Sequence, residues 1–217
     1  MRKLYIFDLD GLLVDTEKMM NESWFNSFEH FNLKVSKEKT LELVGLSLVQ
    51  IMNKVISWTK TDYFDAIHEY AISDFWAIAD NYGIGIKEGA IELLSFLRSS
   101  GVMIALATST VTKRGLRILE KTELLPLFDF MLFGDQVKRT KPDPEIYLSI
   151  INEFNIQPQD AIIFEDSYNG IKAGNNAKID VIFIKDMVDP NKQGHLHIHS
   201  SYKSLLDYLD YLREFEL

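Results

Sequence analysis

The 217-residue chain has no cysteine. That excludes disulfides and thiol nucleophiles and leaves a structural zinc without its usual sulfur ligands. There is no apolar signal region ahead of the first strand and no stretch long enough to span a bilayer, so a soluble cytoplasmic protein without membrane partners is expected. Basic charge is also in short supply, with 23 Lys and Arg against 32 Asp and Glu and no basic block. Such a surface repels nucleic acid in general, which argues against a nucleic-acid partner. A small phosphorylated molecule remains admissible where local positive charge outweighs the global field. With 47% hydrophobic residues, the chain can bury one sizeable core and carry a smaller appendage.

What is present begins with Asp8 and Asp10, which close the apolar run Leu4-Tyr5-Ile6-Phe7 and precede Gly11. Side chains alternate along a strand, so both carboxylates project to one side. Their repulsion is relieved by sharing a proton or by gripping a hard divalent cation such as Mg²⁺. Taken alone, the same residues also suit acids that cap a turn. Three further signals follow apolar runs: Thr108-Ser109-Thr110 after 102 to 107, Lys141-Pro142 after 130 to 133, and Glu165-Asp166 after 161 to 164, with Gly170 and Gly174 downstream. All sit at or beyond the carboxyl ends of predicted strands, where doubly wound sheets bind ligands. Each has a plainer reading: Thr108 to Thr110 as a helix N-cap, Lys141 as a loop lysine, Glu165-Asp166 as acids favoured at a helix start.

Apolar runs at about 4 to 7, 102 to 107, 128 to 133, 160 to 164 and 180 to 184 alternate with helical patterns, the signature of an α/β fold with a parallel sheet. A helix is expected over 87 to 99 with Ile91, Leu94 and Leu97 inward, another over 143 to 154 with Ile146, Ile150 and Ile151 inward, and a last one over 202 to 215 with Leu205, Leu206, Leu209 and Leu212 inward. The long interval after the first strand reads as a helical bundle with Trp24, Phe25, Phe28, Ile51, Val55, Trp58, Phe64, Ile67 and Ala71 as its core. Val14-Asp15-Thr16 and Gly83-Ile84-Gly85 read as the two linker strands. The domain expectation is a Rossmann-like core over 1 to 14 and 86 to 217, and a smaller all-helical cap over 15 to 85 that opens and closes.

Through Asp8-Leu9-Asp10-Gly11, Thr108, Lys141-Pro142 and Glu165-Asp166, the chain resembles the haloacid dehalogenase superfamily over residues 1 to about 185. Its spacing is most similar to the phosphatase and β-phosphoglucomutase-like branch, with a doubly wound parallel sheet and a helical cap inserted after the first strand. The resemblance implies that Asp8 is the nucleophile and forms an aspartyl phosphate, while Asp10 protonates the leaving oxygen and later activates water. It implies Mg²⁺ held by Asp8, the backbone carbonyl of Asp10 and Asp166, with Glu165 a further ligand or an anchor. Lys141, the hydroxyl and backbone amide of Thr108, and Ser109 would bind the phosphoryl oxygens.

Departures from the family pattern sharpen the activity. Dehalogenases lack an acid at the position of Asp10, and neither Lys18 nor Lys54 lies where a phosphonatase carries its imine-forming lysine. Sugar phosphomutases place a histidine and an arginine where this chain has Met20 and Leu48, which weakens the grip on a second phosphate. The expectation is a Mg²⁺-dependent phosphatase acting on a small phosphorylated metabolite, monomeric by default. A sugar phosphomutase is the alternative, and a non-catalytic phosphometabolite-binding protein the third reading. Lys178 stands where the family ends a helix with glycine, at a cost of about 1 kcal/mol if left-handed. His195, His197 and His199 would point one way from a strand, as in some metal sites, although the segment reads as a polar connector.

Overall fold

The computed structural model describes residues 2–187 and 196–215. Its sheet is six-stranded and wholly parallel, in the order β3-β2-β1-β4-β5-β6, with β1 Leu4–Phe7, β2 Met103–Ala107, β3 Phe130–Leu132, β4 Ala161–Glu165, β5 Asp180–Ile184 and β6 Ser200–Tyr202. The helices in chain order are α1 Thr16–His30, α2 Lys37–Thr40, α3 Leu48–Thr59, α4 Phe64–Tyr82, α5 Ala90–Ser99, α6 Thr112–Lys121, α7 Glu145–Glu153, α8 Tyr168–Ala177 and α9 Leu205–Phe215. No helix among the described residues is long and apolar enough to cross a membrane.

Strand β1 lies between β2 and β4, with Phe7 level with Leu106 on one side and Phe164 on the other. All four of its residues are buried, as a central parallel strand covered on both faces requires. Alternation splits them. Leu4 and Ile6 join Ile163, Val181, Ile146, Ile150 and Ile171 in one cluster under α7 and α8. Phe7 stacks on Phe164 at 4.6 Å between ring centroids on the opposite face, where Tyr208 of α9 meets Phe164 at 4.9 Å. After β1 the chain builds outward to β2 and β3, then crosses back to lay down β4, β5 and β6. The order therefore reverses between β1 and β4, and the cleft at their carboxyl ends is a topological switch point.

Contacts divide the chain into two compact units: Met1–Asp15 with Gly85–Leu217, which carries the sheet, and Thr16–Ile84, which is helical. Trp24, Phe28, Val55, Phe64, Ile67 and Ala71 are buried together in the helical unit. Trp24 stacks on both Phe28 and Phe64 at 6.1 Å. In the sheet-bearing unit, the Asp15 amide donates to the Gly85 carbonyl at 2.8 Å, and Val14 bridges Ile86 in antiparallel fashion.

Several expectations need correction. The sixth strand, Ser-Ser-Tyr, takes Tyr202 from the closing helix, which starts at Leu205 behind a reciprocal cap between Ser204 and Asp207. Tyr208 is buried in place of Leu206, and in α5 Leu93 is buried while Ile91 is 45% exposed. Lys178 does adopt the left-handed conformation, at φ 59° and ψ 34°. The amides of Lys178 and Ile179 close that helix end on the carbonyls of Asn175 and Gly174.

Candidate active site

The chain turns sharply after β1 because Gly11 adopts φ +82°, and a Cβ there would lie 2.3 Å from Asp166 Oδ2. Only glycine tolerates both demands. The turn is fixed by Gly11 N–H donating to the Val14 carbonyl and Leu13 N–H to the Leu9 carbonyl, with Leu9, Leu12 and Leu13 fully buried. Asp8 and Asp10 are thereby held at the carboxyl end of β1, next to Glu165 and Asp166 at the end of β4.

Lys141 is the hub of the buried charges. Its Nζ donates to Asp8 Oδ1 at 2.5 Å, to Glu165 Oε1 at 2.6 Å and to the Ala107 carbonyl at 2.7 Å. All three donors of the ammonium are used. Glu165 is completely buried. Its Oε1 also accepts from the Tyr147 hydroxyl at 2.7 Å, and its Oε2 accepts from Ser167 Oγ at 3.0 Å and Ser167 N at 3.3 Å. Gly170 makes room for it, since a Cβ there would fall 1.8 Å from Glu165 Oε1.

Asp8, Glu165 and Asp166 each bring a carboxylate oxygen within 4.8 Å of the others, and all three residues are buried. Lys141 is bonded to two of the three, and these four groups, all ionised, sum to a net charge of two minus. An all-oxygen donor set with that deficit fits one hard divalent cation. Without a cation the cluster takes up a proton instead: burial pushes Asp8 from its usual 3.8 up to about 8, helped by Glu165 and Asp10 and opposed by Lys141. Burial pulls the Lys141 ammonium down, but Asp8 and Glu165 more than offset this and hold it well above its usual range. Burial and the Glu165 carboxylate push the Tyr147 phenol far up.

Asp10 has different surroundings. Its Oδ2 accepts from the Thr110 hydroxyl at 2.7 Å and, more weakly, from the Thr108 hydroxyl at 3.5 Å. Thr108 is buried, but its amide donates to the Leu132 carbonyl at 3.1 Å as part of the sheet. The backbone donor implied by the resemblance is therefore committed elsewhere, and the hydroxyl remains. Ser109 is exposed beside it. The N-cap expectation for this segment fails: Val111 caps α6 without a side-chain bond, and Asp135 Oδ1 instead accepts from Thr112 N at 2.8 Å and Thr112 Oγ1 at 2.7 Å.

The structure thus brings together Asp8, Asp10, Thr108, Lys141, Glu165 and Asp166. The sequence analysis named Thr110 only as the last residue of Thr108-Ser109-Thr110, without a role at the site, and missed Tyr147, which sits beside an apolar stripe and resembles any core aromatic. The histidine expectation does not hold where it can be followed. His197 is bound through its backbone to Asn175, and His199 Nδ1 lies 3.6 Å from Asp180; His195, with Pro190 and Gly194, lies outside the described residues. Lys54 is half-buried and paired with Glu42 at 2.7 Å.

The family model for haloacid dehalogenase-like hydrolases matches residues 5–184. A phosphorylated carbohydrates phosphatase of Thermotoga maritima is 34% identical over 185 residues, covering 82% of each chain. A validoxylamine A 7′-phosphate phosphatase of Streptomyces hygroscopicus is 30% identical over 180 residues, covering 82% of this chain and 84% of its own. The β-phosphoglucomutase structure from Clostridium difficile superposes with a TM-score of 0.78 at 23% identity, over 99% of this chain and 96% of that one, and so shares the fold. The chain belongs to the haloacid dehalogenase-like hydrolases, in the branch of the phosphatases and β-phosphoglucomutase-like structures.

Proposed function

We propose that this haloacid dehalogenase-like hydrolase is a Mg²⁺-dependent cytoplasmic phosphatase that cleaves a small phosphate monoester, a phosphorylated sugar or polyol, through an aspartyl phosphate on Asp8. The observation that carries the reading is the contrast between two neighbouring carboxylates. Asp8 is buried and locked by Lys141 through Oδ1, whereas Asp10 is only partly buried and is held by threonine hydroxyls. One is built to attack and the other to move protons.

In the first half-reaction an Asp8 carboxylate oxygen forms a bond to phosphorus, the ester P–O bond breaks, and the Asp10 carboxyl gives its proton to the departing alkoxide. In the second, Asp10 takes a proton from water, the water oxygen bonds to phosphorus, and the bond to Asp8 breaks to release phosphate. The positive charge of Lys141, whose three donors are spent on Asp8, Glu165 and the Ala107 carbonyl, acts on the phosphoryl group through space, and the Thr108 hydroxyl steadies its oxygens, with Ser109 beside them. Asp8, Asp166 and the Asp10 carbonyl would hold the cation. Bound there, Mg²⁺ offsets the repulsion between carboxylate and phosphate. Glu165 already accepts four hydrogen bonds, which uses its lone pairs; it serves better as the anchor of Lys141 than as a ligand. The helical unit, Thr16–Ile84, would be the inserted cap of such an enzyme.

The mutase alternative lacks the basic cap side chains that a bisphosphate intermediate needs: Met20 packs partly into the helical core, and Leu48 is 51% exposed. Phosphate release from p-nitrophenyl phosphate, with and without Mg²⁺ and with Asp8→Asn, tests the reading. Turnover that requires both Mg²⁺ and Asp8 is expected, and no turnover of any ester in excess Mg²⁺ would favour a phosphometabolite sensor. Supplying β-glucose 1-phosphate with a bisphosphate primer checks the mutase. Glucose 6-phosphate forming faster than inorganic phosphate overturns the ranking.

A further inference from the structure

We infer that Asp186, just beyond β5, is a positioning residue of the cation site that accepts a hydrogen bond from a water of the bound ion. This rests on the metal-binding reading above. The Asp186 side chain is only 8% exposed, and its Oδ1 accepts from Lys87 Nζ at 2.6 Å. Its Oδ2 is buried with no hydrogen-bond partner among the described residues. That oxygen is turned towards Gly11: the point a Gly11 Cβ would occupy lies 3.0 Å from Asp186 Oδ2 and 2.3 Å from Asp166 Oδ2. Two carboxylate oxygens from the ends of neighbouring strands converge on one α-carbon.

Serving as a counterion for Lys87 needs one oxygen, and it does not account for a second that is buried against Gly11, beside Asp166. Carboxylates this close repel unless a donor or a cation lies between them. Asp186 stands outside the mutually close set of Asp8, Glu165 and Asp166, so it faces the ion's own water rather than the ion. Mg²⁺ retains several waters, each of which needs an acceptor. Lys87 occupies the other oxygen of this carboxylate and is itself 4.0 Å from Asp15.

The test is a Mn²⁺ titration of the full chain, followed by calorimetry and by the electron spin resonance of free Mn²⁺, for the parent, Asp186→Asn and Lys87→Gln, with folding checked by circular dichroism. A parent that binds no divalent ion refutes the metal reading itself. Given a parent that binds, Asp186→Asn is expected to weaken Mn²⁺ binding about tenfold. Lys87→Gln removes a competing cation and leaves the carboxylate in place, so it should bind Mn²⁺ as well as the parent or better. Unchanged affinity in Asp186→Asn reduces the residue to a counterion for Lys87 and overturns the inference. So does a tenfold loss in Lys87→Gln, which decides the matter even if Asp186→Asn does not fold.

Discussion

Loading the site with Mg²⁺ should expel a proton, and the pH dependence of that exchange follows from the burial of Asp8. In the metal-free chain, Asp8 holds its proton up to about pH 8. A cation bound to Asp8 needs the ionised carboxylate, so binding below that pH must displace the proton. At pH 7 roughly 0.9 protons should leave per ion bound, and at pH 9 roughly 0.1, for a group titrating near 8. Affinity should therefore climb about tenfold per pH unit from 6 to 7 and flatten above 8. Calorimetry in two buffers of different ionisation enthalpy reads the proton count directly, and Asp8→Asn should abolish the release. The same shift fixes the sign of the stability change without metal. Folded Asp8 keeps a proton that the unfolded chain gives up near 3.8, so its stabilising contribution is complete below about pH 4 and is lost as pH rises through about 8. Mg²⁺ should accordingly raise the melting temperature more at pH 8 than at pH 6. Affinity independent of pH between 6 and 8, with no proton released, would refute the argument that burial protonates this cluster.

Three substitutions probe other parts of the structure. Lys178→Gly relieves a left-handed lysine that already ends α8 and should stabilise the protein by about 1 kcal/mol in urea unfolding, with no change in turnover; a loss of stability would mean the lysine side chain contributes more than its backbone costs. Tyr147→Phe deletes the hydroxyl that donates to Glu165 Oε1 at 2.7 Å. It should cost about 1.5 to 3 kcal/mol, the worth of a hydrogen bond to a charged group. Unaltered stability would show that Lys141 and Ser167 satisfy Glu165 alone. Thr110→Val keeps the shape but removes the 2.7 Å bond to Asp10 Oδ2. Its turnover of an alkyl phosphate should fall about tenfold, with a smaller fall for p-nitrophenyl phosphate, whose leaving group hardly needs the proton. Equal losses on both substrates would remove Thr110 from any part in proton transfer.

Much of this molecule can be read from the chain because its strands are short apolar runs, and buried parallel strands need little else. Asp8, Asp10, Glu165 and Asp166 stand out since acids at the ends of such runs have no packing reason to be there, and Lys141 by its place before Pro142 in the loop beyond the third strand. Edges are harder to read. Strand β6 is Ser-Ser-Tyr, with neither apolar character nor length, and its place is decided by pairing with β5. Ile91 and Leu93 compete for one helical face, and spacing alone does not say which faces the sheet. Tyr147 is invisible for a different reason: its role is set by Glu165, eighteen positions later. Partners that meet only in three dimensions leave no local pattern.

The ordering of the motifs gains its meaning from the sheet. Residues 8, 108, 141 and 166 span most of the sequence and would be unrelated in a fold where strands pair in chain order. Here β1 is central, and the chain reaches β4 only after leaving by way of β2 and β3. No crossover helix fills the carboxyl end of the β1–β4 gap, because the connection after β1 leads towards β2 and the one before β4 arrives from β3. Asp8 and Asp166 therefore meet at the carboxyl ends of two adjacent strands, and Lys141 reaches in from the loop that leads to α7. Placing three carboxylates there without a cation leaves a proton trapped on Asp8. The deficit of charge at the switch point is thus a consequence of the strand order together with four side chains, and it is the property by which the site would recognise a metal before any substrate arrives.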